Sequence, residues 1–86
     1  MIEQARIDIW NGLKRYYGAI QEVVNATTDL REGGYTRDYI YKVLSGKRNN
    51  IDILNLAAEV LKRHEEAHAV KLRRLQKAVD QVAAIA

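Results

Sequence analysis

The chain has 86 residues, 48% of them apolar, and a formal net charge of +3 from 14 basic and 11 acidic side chains. A chain of this length holds one domain and buries only ~60% of its unfolded surface, so a partner subunit would help its core. Cysteine is absent, which excludes disulfides and thiolate metal sites, and no run approaches the ~18 apolar residues of a membrane span. With no secretory signal visible either, a cytoplasmic protein that does not engage the membrane is expected.

Residues 2–25 have helical period: Ile2, Ala5, Ile9, Leu13, Tyr16, Ile20 and Val23 follow steps of three and four, the spacing of one helix face. Gly12 and Gly18 interrupt it. Asn11-Gly12 is a frequent turn pair, so two helices broken there and one bent helix are equal readings, with the cleaner helix at 14–25. Residues 26–34, ATTDLREGG, read as a loop that can hold a short helical turn at 28–32. Trp10 reads as a core or dimer anchor, since large aromatics dominate buried energetics.

Residues 36–45 read as a short helix with a complete set of boundary signals. Thr36 can cap its start, Ile40, Val43 and Leu44 supply an apolar face, and Gly46 can end it in the left-handed conformation. Lys47 and Arg48 follow at the negative end of the helix dipole. Arg37, Asp38, Tyr41, Lys42 and Ser45 are left on the outer face, while Tyr35 and Tyr39 read as core. Between Tyr35 and Asn50 four basic residues face one acid, a local cluster of the kind that contacts phosphate. Such a helix suits the major groove of DNA; the alternative is a run of ordinary solubilising charges.

After a second loop at 47–50, residues 52–83 form a long helix without a breaker, rich in strong helix formers, with Asp52 near its positive end. Leu54, Ala58, Leu61, Glu65, His68, Leu72, Leu75, Val79, Val82 and Ala86 repeat at coiled-coil spacing. Glu65 and His68 divide the stripe into two apolar halves. The first completes the core. The second, with Leu72, Leu75, Val79 and Val82, needs a cover, either residues 2–13 of its own chain or a second copy, which makes a homodimer the expectation.

The phrase Val43-Leu44-Ser45-Gly46-Lys47-Arg48, the aliphatic run Ile53 to Leu61 and the upstream Tyr17 to Val24 resemble helix-turn-helix domains of the Cro/phage-repressor type, closest to small phage- or plasmid-associated regulators of Bacteroidetes. The resemblance covers about half of the chain. It implies an all-α fold, with a helix-turn-helix core at 13–63 and a C-terminal helical extension at 64–86 within one domain. It further implies that Arg37, Asp38 and Lys42 enter the groove with Tyr41 beside them. Thr36 and Tyr39 would lie near the DNA backbone, and Lys47, Arg48 and Asn49 would hold phosphate. The chain departs from the family in the insertion at 25–35, and in Arg37, Asp38 and Tyr41, where glutamine or serine is common. A carboxylate at Asp38 could accept from a cytosine amino group, or cap the helix and orient Arg37.

No enzyme is expected. The single serine, Ser45, is remote in sequence from both histidines, and Gly33-Gly34 lacks the lysine of a phosphate loop. His64 and His68 are four apart, as in helical zinc motifs, but lack a third ligand; a pH-sensitive helix joint fits them better. Neither a metal, a cofactor nor a small-molecule substrate is implied. The function expected is sequence-specific binding of double-stranded DNA by a repressor-like regulator, with dimeric partners one helical turn apart on a palindrome; the alternative is a helical protein-interaction module.

Overall fold

The computed structural model describes residues 2–85. Among them are four α-helices, α1 (Ile2–Leu13), α2 (Ala19–Ala26), α3 (Arg37–Leu44) and α4 (Ile51–Ile85), with a 3-10 turn at Thr27–Asp29. The chain is all-α, and its C-terminal helix is long. The core draws on every helix: Leu13 from α1, Ala19 and Val23 from α2, Ile40, Val43 and Leu44 from α3, and Ile53, Leu54, Ala57 and Val60 from α4.

The N-terminal break falls later than the sequence suggests. Helix α1 runs through Asn11-Gly12 to Leu13, and the expected helix at 14–25 is replaced by a turn and then α2. Gly12 is buried where α1 meets α4, and a Cβ there would stand 2.6 Å from the Leu61 side chain. Its missing side chain therefore serves helix packing. The turn belongs to Gly18, whose φ of 81° is left-handed backbone that glycine adopts without the steric cost of a Cβ.

The 25–35 insertion is held by Thr27, a fully buried polar residue. Its hydroxyl donates to the Val24 carbonyl at 2.6 Å and accepts from the Tyr35 N–H at 2.9 Å. That pulls the chain back onto α2 just before α3 starts, and the expected turn at 28–32 forms one residue earlier as Thr27–Asp29. Arg6 of α1 closes the other end of α3: its Nη1 donates to the Leu44 carbonyl at 2.6 Å and its Nη2 pairs with Glu3. A cation here meets the negative end of the α3 dipole.

Helix α4 is 35 residues long, about 52 Å at 1.5 Å per residue, and it sets the 55 Å long dimension of the molecule. Asn50 caps it, its side-chain oxygen accepting from the Ile53 N–H, and Asp52 stands in the first turn at the positive helix end as expected. The face containing Ile53, Ala57 and Val60 is buried, whereas every side chain from Glu65 to Ala84 is exposed. Helix α1 lies beside the first half, with Ile9 near Ala58 and Leu61, so it does not cover the distal stripe. Leu72, Leu75, Val79 and Val82 are 52–66% exposed; Ala86 lies outside the described residues. No helix among the described residues is long and apolar enough to cross a membrane.

Candidate functional site

Helix α3 keeps the boundaries its sequence signals. The Thr36 hydroxyl accepts from the Tyr39 N–H at 3.2 Å, as an N-cap does. At the other end the Lys42 carbonyl accepts from the N–H groups of Lys47 and Arg48 at 2.8 and 3.1 Å, a wrap made around Gly46 at φ 90°. Lys47, Arg48 and Asn49 are thus exposed on a short, hydrogen-bonded turn.

The outward side of α3 joins residues from three helices. Arg37 is exposed; its Nη1 donates to Gln21 Oε1 on α2 at 2.7 Å, and its Nη2 lies 3.2 Å from the Tyr41 hydroxyl. The Tyr41 ring meets Trp10 of α1 edge-on, with centroids 5.5 Å apart, and Lys14 Nζ stands 4.8 Å above the Trp10 ring. Gln21 also donates to Asn25 at 3.0 Å. Lys14, Trp10, Tyr41, Arg37, Gln21 and Asn25 therefore form a continuous track. A shallow groove lined by Lys14, Tyr17, Gln21 and Arg37 runs beside it.

Charge on this face is mostly uncompensated. Among the described residues the ion pairs are Arg6–Glu3, Lys42–Asp38 and His64–Glu22, which leaves Lys14, Arg37, Lys47 and Arg48 without a carboxylate. Asp38 neither caps the helix nor touches Arg37. It binds Lys42 at 3.0 Å, one helical turn along the same face. Lys42 is consequently half-buried and neutralised, while Arg37 is displayed with its guanidinium fixed from two sides.

Comparison with protein-family models, with curated proteins and with solved structures finds no match to this chain.

Of the residues singled out from the sequence, Thr36, Arg37, Asp38, Tyr41 and Lys42 share the start and outer face of α3, with Lys47, Arg48 and Asn49 in the turn after it. Leu72, Leu75, Val79 and Val82 lie on the distal half of α4, outside this assembly. Tyr35 and Tyr39 stack on each other, with centroids 5.0 Å apart, and pack against the core. Trp10 is neither wholly core nor free: it supports Tyr41. Gln21, Lys14, Tyr17 and Trp10 had no local signal tying them to α3, because folding brings them there from α1, α2 and the turn between them. The histidines face the domain instead. His64 Nε2 lies 2.9 Å from Glu22 Oε2, and the Tyr16 ring stacks on His64 and meets His68 edge-on. Among the described residues no group of three His, Cys, Asp or Glu side chains is placed to hold a metal ion.

Proposed function

We propose that this chain is a sequence-specific double-stranded DNA-binding protein of helix-turn-helix type that acts as a repressor-like regulator. The observation that carries the reading is the track on the outer side of α3, where Arg37 is oriented by Gln21 and Tyr41 and no carboxylate answers it. A guanidinium held by two side chains at the start of a short exposed helix suits the O6/N7 edge of guanine, a contact worth roughly 1–3 kcal/mol of discrimination. Lys47 and Arg48, on the turn after the helix, take the adjacent phosphates. Lys14, held over Trp10, adds a further cation for the DNA backbone, and Gln21 and Asn25 add donors and acceptors along the groove. Asp38 does not oppose DNA approach, because Lys42 neutralises it.

The test is equilibrium binding to duplexes selected from a random pool, followed by fluorescence anisotropy across a salt series. Affinity should fall steeply with salt, as counterion release demands. Arg48→Ala should weaken all sequences alike and reduce the salt slope by about 1, whereas Arg37→Ala should relax preference at one base pair. Duplex binding unchanged by the loss of both Lys47 and Arg48 would overturn the phosphate clamp. Selection that enriches no sequence, with no salt-dependent binding, would favour a protein-interaction module.

A further inference from the structure

The distal half of α4 carries a bare apolar stripe, and its azimuth decides what can cover it. At 100° per residue, Leu72, Leu75, Val79 and Val82 all fall within about 60° of Ala57, the fully buried centre of the α4 core face. His64 and His68, which meet Tyr16 and the α2 carboxylate, lie within about 20° of the same line. The helix is unbroken from Ile51 to Ile85. The bare stripe therefore points to the side on which α1 and α2 sit, and it begins one turn beyond them.

We infer that this stripe pairs with the same stripe of a second copy, antiparallel and centred on Lys77. Parallel pairing is excluded by shape. Paired helix axes stand 8–10 Å apart, and one turn below Leu72 the α1 and α2 helices of both copies would need the same space between those axes. It would also bring Glu65 against Glu65. Antiparallel pairing removes both conflicts, because each domain lies beyond the end of the other arm. The stripe is self-complementary in this register: Leu72 meets Val82 of the second copy and Leu75 meets its Val79, each pair repeated by the two-fold axis. The flanking positions place Gln76 near Gln76 and Ala78 near Ala78; Lys71, about 40° from the Ala57 line, borders Leu72 at the end of the seam, where its stem lies along the apolar surface and its ammonium stays in water. Arg73, Arg74 and Lys77 remain on the outer surface.

The arrangement has a consequence for DNA, which rests on the function proposed above. Ala57 lies twenty residues from the centre, so the two cores stand about 60 Å apart. That is closer to two turns of duplex than to one.

The experiment needs no DNA, so its outcome is independent of the DNA-binding reading. The chain lacks cysteine, and single cysteines can report register. Leu72→Cys and Val82→Cys are prepared separately, oxidised alone and as an equimolar mixture, and resolved without reductant. Antiparallel pairing gives disulfide-linked dimer from the mixture, several-fold above either variant alone. Self-linkage of Leu72→Cys and of Val82→Cys would establish parallel pairing and overturn the inference. Sedimentation of the unmodified chain should show a dimer at tens of micromolar, and Leu75→Lys should be monomeric with unchanged helicity by circular dichroism. A wild-type chain that is monomeric throughout that range overturns the pairing altogether.

Discussion

Residues 51–64 and residues 65–84 of α4 share one helix, one spacing of apolar side chains and one azimuth. In the first stretch Ile53, Ala57 and Val60 are wholly buried; in the second Leu75 and Val82 are 61% and 66% exposed. The two stretches differ only in what lies opposite. Helical periodicity identifies a face that has to be covered, and the cover is supplied by other parts of the chain or by another molecule.

Substitutions can sharpen that contrast. The largest effect should come from Ile53→Ala, which removes a buried side chain and leaves a cavity; urea denaturation should show a loss of about 2–5 kcal/mol, the same at every protein concentration. Leu75→Ala should instead lower the midpoint only at concentrations where the chain pairs, because mass action couples stability to association. If both variants behave alike at high dilution, the distinction between the halves is wrong. Next is Thr27→Val, which leaves the part-buried Tyr35 N–H without its acceptor; a cost of about 1–3 kcal/mol is expected, with faster amide exchange at Tyr35. Thr36→Ala should cost about 1 kcal/mol through loss of the α3 cap, read from the same denaturation curves.

The smallest effect concerns Glu3, whose carboxyl is held below its ordinary pKa by the hydrogen bond from Arg6 and then by that guanidinium's charge. The sign follows from linkage. A lowered folded-state pKa contributes stability that is present above the ordinary carboxylate value and fades as pH falls through Glu3's own lower one. Carbon-detected NMR titration should show the depressed midpoint in the parent chain and an ordinary one in Arg6→Met.

The legible parts of the fold were those whose signals are local. Thr36, the Ile40–Val43–Leu44 face and Gly46 specify α3 within eleven residues, and α4 has no breaker to misread. The N-terminal break was not legible, because Gly12 and Gly18 look alike in sequence. One is a glycine so that α1 can approach Leu61, and the other because its φ is positive. Only tertiary packing separates those two needs. The candidate site divides in the same way. Arg37, Tyr41, Lys47 and Arg48 stood out because they belong to α3 and its exit. Gln21, sixteen residues upstream of Arg37, Trp10 on α1 and Lys14 in the turn after it join them only once the three helices are packed. Arg6 likewise gave no local sign that it would close the end of α3.

The continuity of α4 has one more implication. Nothing between Ala57 and Val82 offers a hinge, so the helix behaves as a stiff beam clamped at one end. Each residue inserted near position 67 would lengthen that beam by only 1.5 Å while turning its tip by about 100°. Seven extra residues, close to two full revolutions, should leave the tip facing almost as before; two would swing it to the far side.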